Sequence, residues 1–485
     1  MLNTQQKIKF SEHAVLYDIL IPKDNKYRLI DELIDFSFIY DELKDKYCPD
    51  NGRNAADPIM MFKYLMIKVI DNFSDADVVE HSRYDLSYKR FLGLMPEEDV
   101  IDPSLLTKFR RQRLKDVNLL DMLIGKTVGV AMEKGIIKTK TIIVDATHTI
   151  SRANALSPID VLKLRSKEVR DRICKWPGNE DIDLPTLNDD DNLLHELDRC
   201  ENLLSIVMAN PMLYENPAFK EAINYLAEGV EDIKLRQTIS YDRDARTGHK
   251  NANTSFLGYK THLAMTPERV ITAATVTSGE KGDGPMLQDL INKTELAGVV
   301  VDTVVGDAAY SGINNLRYAK NNGIEIISKL NPVIVSGNRV DGENGFVYNK
   351  DADRYICPAG HLANRIKKRN REKEGRSSAI RYMWNPNVCA ICPMKDSCLK
   401  PGAKSRSYEV RLDMQEYEEQ KRLQQTQHFR ELSHERYKIE AKNAELKNAH
   451  GYDRADSYGI SAMELQGAVT IFVVNLKRIM KMMAK

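Results

Sequence analysis

Apolar residues recur at helical spacing through the first part of the chain. Between residues 27 and 124 they alternate with short polar breaks, in the pattern of several short amphipathic helices. Asp57-Pro58 predicts the start of one helix, which runs to Ile70, because an acidic N-cap followed by proline is a common helix beginning. Asp102-Pro103 repeats this pattern and predicts a second helix. The region is therefore expected to be all-α.

The pattern changes in the centre, where two runs of β-branched residues each end in an aspartate. Residues 139–150 read TKTIIVDATHTI and residues 299–312 read VVVDTVVGDAAYSG, which places Asp145 and Asp307 at predicted strand ends. The second run leads into a predicted helix and a further strand, and the carboxyl ends of parallel strands form one rim in such a unit. The two carboxylates are therefore predicted to lie side by side, although Asp145 could instead cap the strand or start a turn.

Other segments of the chain support an α/β class. The sequences GYKTHLAMT and RVITAATVT alternate like two antiparallel strands joined by the turn Pro267-Glu268. Residues 161–225 read as helix broken by an acidic loop, which lacks the glycine-bearing pattern of a calcium loop and is interpreted as a solvated insertion. Residues 459–485 read as an apolar helix that is expected to pack against the core.

Length and composition limit the class of protein. With 485 residues, 42% of them hydrophobic and 29% charged, the chain is expected to be a soluble globular protein of several folding units. No apolar run reaches the roughly 20 residues that cross a bilayer, and the first residues lack the apolar segment of a signal peptide. We therefore expect a protein inside the cell with no membrane partner. The net charge of +1 means that a nucleic acid must be bound by local patches.

One such patch lies on the helix predicted after Asp102-Pro103, whose positions outside the apolar stripe are basic. Contact with DNA phosphates and a solvated helix face are both compatible with this pattern. No helix-turn-helix signature singles out a recognition helix. The candidate DNA-binding residues here are Lys108, Arg110, Arg111 and Arg113.

Seven cysteines, an odd number, argue against a disulfide framework. Four of them fall late in the chain, where a C-x2-C pair with two further cysteines is a typical pattern for structural Zn²⁺. His361 could replace one thiolate, and ordinary reduced cysteines are the alternative. A basic stretch at residues 365–381 could bind the phosphates of DNA. The predicted zinc ligands are Cys357, Cys389, Cys392 and Cys398, and the candidate DNA contacts are Lys367, Lys368 and Arg369.

A third acid stands on a predicted C-terminal helix, residues 429–448, where Arg436, Glu440 and Lys447 lie near one face. Alone, this helix reads as an exposed one with ion pairs. The order Asp145, Asp307, Glu440 nevertheless resembles the DDE transposases of bacterial insertion sequences. Arg436, Glu440 and Lys447 fit the last three positions of their Y-x2-R-x3-E-x6-K signature, whereas Ser433 stands in place of the tyrosine.

The resemblance covers nearly the whole chain and implies its architecture. It implies an α/β fold with an RNase H-like mixed sheet flanked by helices. Residues 1–135 would form a helical DNA-binding domain, and residues 136–330 the first part of the catalytic core, with a helical and acidic insertion at about 151–238. Residues 331–428 would form a basic, cysteine-rich and zinc-binding insertion. Residues 429–485 would complete the core.

The resemblance also implies an activity. Asp145, Asp307 and Glu440 would hold two Mg²⁺ (or Mn²⁺) ions for cleavage of double-stranded DNA at terminal inverted repeats and for strand transfer to target DNA. A homodimer on the DNA is expected, in the cytoplasm at the bacterial nucleoid. A catalytically inactive or domesticated DNA-binding protein, and an RNase H-like nuclease without strand transfer, remain alternatives. The implied phosphate contacts near the acids are Arg436, Lys447, Lys260 and Arg246.

Overall fold

The computed structural model of the chain describes residues 11–48, 55–154, 156–176, 182–185, 192–234, 240–250, 254–331, 345–349, 351–369, 379–411 and 415–484. Within these ranges, no helix combines the length and the apolar character that crossing a membrane requires.

The N-terminal part is helical, as the sequence predicts. The Asp57 side chain accepts a hydrogen bond from the Ile59 N–H at 2.9 Å, and Asn72 ends the helix in the left-handed region, so the predicted helix is one residue longer than expected. The basic helix begins at Ser104, directly after Pro103. The helices are α1 (Val15–Leu20), α2 (Lys26–Leu33), α3 (Ser37–Leu43), α4 (Pro58–Asp71), α5 (Asp75–Tyr84), α6 (Leu86–Leu92), α7 (Ser104–Gln112) and α8 (Leu119–Glu133).

A mixed sheet forms the centre of the molecule. Its strands are β1 (Thr141–Ile150), β2 (Arg246–His249), β3 (Ser255–Met265), β4 (Ile271–Ser278), β5 (Thr303–Val305) and β6 (Glu325–Ile327). The order is β2-β3-β1-β5-β6, with β4 paired to β3. β1 runs antiparallel to β3 and parallel to β5, and the predicted hairpin is β3–β4. Helices α13 (Leu287–Leu296) and α14 (Ile313–Asn321) follow β4 and β5 in the chain.

A helical segment between β1 and β2 has an apolar core of its own. Its helices are α9 (Pro158–Cys174), α10 (Leu193–Ala209), α11 (Pro211–Tyr214) and α12 (Pro217–Lys234). The interpretation of the acidic stretch as solvated is wrong at Glu196, which is 3% exposed and pairs with Arg199 one turn later on α10. The acids at 180, 181 and 189–191 lie outside the described residues.

The cysteine-bearing segment contains small sheets around an aromatic core of Tyr355, Tyr382 and Tyr408. Its elements are β7 (Val347–Asn349), β8 (Arg354–Ile356), β9 (Arg365–Arg369), β10 (Ala379–Met383), α15 (Pro386–Ala390), α16 (Lys395–Cys398) and β11 (Ser407–Arg411). Helices α17 (Gln415–Gln424) and α18 (Gln427–His434) then return to the central sheet, where Gln420 Nε2 donates to the carbonyls of Ile326 and Ser328 at 2.9 Å each.

The last two helices are α19 (Tyr437–His450) and α20 (Ile460–Met483). α20 packs between the N-terminal helices and the sheet, with α8, α4 and β4 as neighbours. The Phe472 ring centroid lies 5.8 Å from that of Phe62 and 6.4 Å from that of Phe36. The predicted packing of this apolar helix is confirmed, and the N-terminal helices share one continuous core with a face of the sheet.

Candidate active site

Asp145 and Asp307 stand at the same level of the sheet. β1 and β5 run parallel with Ile143 opposite Val305, and each aspartate follows its strand residue by two positions. Both side chains are almost wholly buried, with 7% exposure each. The parallel register therefore brings the two predicted acids to one rim, just past the end of the β1–β5 pairing. The prediction that Asp145 ends its strand is wrong, because β1 continues to Ile150 through its pairing with β3, whereas Asp307 lies two residues beyond the end of β5.

The turn after β5 fixes Asp307. Its Oδ1 accepts a hydrogen bond from the Ala309 N–H at 2.8 Å, and the Ser328 hydroxyl donates to its backbone carbonyl. The preceding residue is Gly306, where a Cβ would lie 2.7 Å from Tyr310 Cδ2 and 2.9 Å from a Val144 methyl carbon. The glycine lets the chain pass close to β1 and deliver the carboxylate at the rim.

Helix α19 carries the third predicted acid. Asn443 donates from Nδ2 to Asp145 Oδ2 at 3.0 Å, where α19 packs on β1. Glu440 lies one turn earlier on the same face. Its side chain is 59% exposed, and its Oε1 is 3.3 Å from Arg436 Nη2. Among the described residues, no three side chains of His, Cys, Asp or Glu are placed to hold a metal ion together. The three acids thus do not close a metal cage in this arrangement.

A cleft beside Asp145 is lined by several cationic and imidazole side chains. The residues that line it include His148, His249, Lys250, Lys260 and Asp283. Lys260 Nζ lies 3.1 Å from Asp283 Oδ1, in an ion pair that is nearly inaccessible to solvent. Burial, with help from the Lys447, Lys250 and Lys260 cations, lowers the pKa of His148 to about 4. The cleft thus places two lysines, Lys250 and Lys260, beside the carboxylates of Asp145, Asp283 and Asp351.

Of the four cations predicted to contact DNA near the acids, three form ion pairs with carboxylates of the protein. Arg436 pairs with Glu440, and Lys260 pairs with Asp283. Arg246 Nη2 lies 3.4 Å from Asp232 Oδ2 on α12. Lys447 is half-buried, and its pKa is lowered by burial and by the nearby Lys250. Their contact with DNA stays a prediction.

The basic helix α7 divides into paired and exposed cations. Arg110 forms an ion pair with Asp75 at the start of α5. Arg113 lies with its guanidinium carbon 4.3 Å from the Tyr47 ring centroid. Lys108 and Arg111 are exposed. Two of the four predicted phosphate contacts are therefore held within the helical region, and two face solvent.

The four late cysteines line one small cavity together with His361: Cys357, Cys389, Cys392 and Cys398. Burial raises the pKa of the Cys357 thiol to about 11, and it also raises the pKa of Cys398. Lys367, Lys368 and Arg369 lie on β9, and β9 pairs with β10. Residues 370–378 of the predicted basic stretch lie outside the described residues.

The comparisons with known proteins first give the class of protein. Residues 15–112 match a family described as a transposase domain (DUF772), and residues 356–480 match a family described as a transposase DDE domain. No curated protein and no solved structure gives a significant match. The two matches together support the predicted family, the DDE-type insertion-sequence transposases. A DDE domain implies an RNase H-like fold and, in general, a metal-dependent enzyme that cleaves DNA.

The matched segments include Glu440 and the four late cysteines, but neither reaches Asp145 or Asp307. The assignment of these two acids therefore rests on the register of the sheet. Sequence reasoning missed Asn443 and His148. The three-residue spacing from Glu440 is the signal that could have identified Asn443. No such signal exists for His148, because residues three apart on a strand point to opposite faces of the sheet.

Proposed function

We propose that this chain is an active transposase that cuts the ends of its insertion sequence and joins them to target DNA. The observation that supports this most is the parallel register of β1 and β5, which sets Asp145 beside Asp307, with α19 docked on the same carboxylate. Two buried acids at one strand rim, with a third on the adjoining helix, suit in-line phosphoryl transfer.

The donor chemistry of the rim fits divalent cations. Carboxylate oxygens are the ligands that Mg²⁺ prefers. We infer that Asp145, Asp307 and Glu440 would hold two Mg²⁺ or Mn²⁺ ions, and bound ions of this kind activate water and stabilise the leaving oxygen. Glu440 now pairs with Arg436 at an exposed position, and such a pair is worth about 0–1 kcal/mol. Glu440 can therefore turn toward a cation at little cost.

The remaining predicted residues would bring double-stranded DNA to this rim. Arg436 is released when Glu440 turns, and with Lys447 and Lys260 it would contact backbone phosphates. Arg246 and the basic stretch of β9 would extend the contact. Lys108 and Arg111 on α7 would hold the terminal inverted repeat. A homodimer would join two ends, and the protein would act on nucleoid DNA in the cytoplasm.

The experiment is cleavage of the DNA that flanks the coding sequence, with Mg²⁺ and the purified chain. We expect end cleavage and strand transfer that Asp145→Ala, Asp307→Ala and Glu440→Ala each abolish while DNA binding persists. Asp302→Ala is the matched control, since Asp302 lies outside this rim, just before β5. Normal cleavage by one of the three variants would remove that residue from the site.

The same experiment separates the alternatives. Binding of the flanking DNA without cleavage by the wild-type chain would indicate an inactive or domesticated binder. Cleavage without joining to target DNA would indicate a nuclease of RNase H type. Size-exclusion chromatography of the complex tests the proposed dimer.

We also propose that Cys357, Cys389, Cys392 and Cys398 bind one structural Zn²⁺. The support is that all four cysteines line one cavity. Burial raises the pKa of the Cys357 and Cys398 thiols, and a zinc ion would act against this effect because it binds thiolates. Metal analysis should find about one zinc per chain, as one four-thiolate site binds one ion. Cys392→Ser should lose that zinc, and Cys174→Ser, at an exposed cysteine elsewhere, should keep it.

A further inference from the structure

Asn443 joins the C-terminal helix to the first acid of the site. Its Nδ2 donates to Asp145 Oδ2 at 3.0 Å, and it lies one turn after Glu440 on the same face of α19. Asp145 is 7% exposed, so this amide contacts a carboxylate that has little solvent around it. The amide therefore restricts the orientation of Asp145.

The oxygen of the same amide is in an unusual environment. Asn443 Oδ1 is inaccessible to solvent, and no hydrogen-bond donor among the described residues reaches it. A buried acceptor without a partner is costly, so native structures rarely retain one without a reason. An amide oxygen is a good ligand for hard cations and a good acceptor for the water molecules that Mg²⁺ keeps.

We propose that Asn443 is a positioning residue of the metal site, which orients Asp145 through Nδ2 and holds Oδ1 toward the cation or its water. The inference rests on the proposed function, because it assumes cations at Asp145. It assigns a fourth side chain to the site, in addition to the three acids.

A purely structural role gives a different expectation. If Asn443 only docks α19, its replacement changes the thermal stability and leaves cation affinity alone. Residues that orient a ligand from outside the coordination shell typically change metal affinity about 10- to 100-fold when they are mutated. Cation affinity is therefore the readout that separates the two roles.

The test titrates Mn²⁺ into the full chain without DNA, by calorimetry and by the electron paramagnetic resonance of free Mn²⁺. We expect Asn443→Leu to weaken Mn²⁺ binding about 10- to 100-fold. Asn443→Asp, which keeps an oxygen and adds a charge, should bind Mn²⁺ more tightly than the wild type. Asn448→Leu is the matched control, because Asn448 is exposed on the same helix.

The outcomes are distinguishable. Unchanged Mn²⁺ affinity in both Asn443 variants, with a loss in Asp145→Ala, would overturn this inference and leave the proposed function in place. Equal binding by the wild type and Asp145→Ala would instead contradict the proposed function. If Asn443→Leu does not fold, as judged by its thermal transition, the Asn443→Asp result decides alone: tighter Mn²⁺ binding supports the inference, and unchanged or weaker binding overturns it.

Discussion

At the scale of single residues, Gly306 controls the position of Asp307. A side chain at this position would meet Tyr310 on one side and Val144 on the other, at 2.7 and 2.9 Å. Both neighbours are buried in the same core and cannot move freely. Gly306→Ala should therefore destabilise the protein by about 1–3 kcal/mol, as overpacking in a core commonly does. Urea unfolding measures the change in the free energy of unfolding.

A control for this substitution lies on α8. A Cβ at Gly125 would meet nothing within 4 Å. In a helix interior, alanine is more favourable than glycine by about 1 kcal/mol, so Gly125→Ala should stabilise the protein. If Gly306→Ala stabilised the protein as Gly125→Ala is expected to do, crowding would not explain why a glycine occupies position 306.

His148 gives the site a dependence on pH. Its pKa is lowered from 6.5 to about 4 by burial and by nearby lysines, so the unfolded chain binds this proton more readily between those values. Stability should therefore fall as the pH drops from about 6.5 toward about 4. His148→Gln, which cannot titrate, should lose less stability than the wild type between pH 7 and pH 5. Urea unfolding at both values measures this difference, and equal losses would contradict it.

The residues of the site differ in how far the sequence could reveal them. Asp145 and Asp307 both follow β-branched runs, but the local pattern located the strand end correctly only for Asp307, because β1 continues past Asp145 to Ile150 opposite β3. Glu440 stands on a helix that looks like an ordinary exposed one, and a family signature was needed to identify it. For Asn443 the local pattern offers only its three-residue spacing from Glu440, because its role depends on a contact with a strand almost 300 positions earlier.

At the scale of elements, α20 also forms hydrogen bonds with the sheet through one polar residue. Asn475 is fully buried; its Oδ1 accepts from the Ile271 N–H, and its Nδ2 donates to the Ile271 carbonyl, at 2.8 Å each. The same Nδ2 lies 2.9 Å from Thr127 Oγ1 on α8. The amide thus satisfies backbone groups of β4 that lack a strand partner there, and it links β4, α8 and α20.

Asn475→Leu should therefore be strongly destabilising. It leaves the N–H and the carbonyl of Ile271 buried without these partners, at about 1–3 kcal/mol for each group. Thr127→Val removes a single hydroxyl and should cost less. The free energies of unfolding of the two variants, compared in urea, test this order, and a larger loss in Thr127→Val would show that the amide is not the main link.

Element boundaries were predictable where a local signal exists. Asp57-Pro58 defines the start of α4 because capping is a short-range interaction. The second β-branched run, in contrast, suggests a long strand, whereas β5 has only three residues. Its length depends on how many residues of β1 and β6 lie opposite it, which no local pattern encodes. The burial of Glu196 likewise depends on Arg199 and on the packing of α10.

At the scale of the whole molecule, the N-terminal helices and the sheet share one core through α20. A sequence divided by composition suggests separate units, because the helical and strand-rich patterns are consecutive along the chain. The apolar helix near the end of the chain passes between them and buries side chains from both. Any movement of the N-terminal helices with bound DNA would therefore be transmitted to α20 and β4.

The balance of charge over the molecule determines how it can attract DNA. With 71 basic and 70 acidic residues, the chain has no net field to draw a polyanion, so exposed local cations must supply the attraction. Lys108 and Arg111 face solvent on α7, while Arg110 is paired with Asp75. Replacing both exposed cations by alanine should weaken binding to all DNA sequences alike and reduce the slope of log K against log salt by about 2.

The control for this double variant removes two cations elsewhere on the surface. Lys167 and Lys220 are exposed on α9 and α12, so their replacement by alanine changes the net charge equally but leaves α7 intact. Fluorescence anisotropy with a labelled duplex over a range of salt concentrations measures both slopes. Because the net charge is the same in the two variants, equal slopes would mean that binding depends on overall charge, and a smaller slope for the α7 variant alone would place the phosphate contacts on that helix.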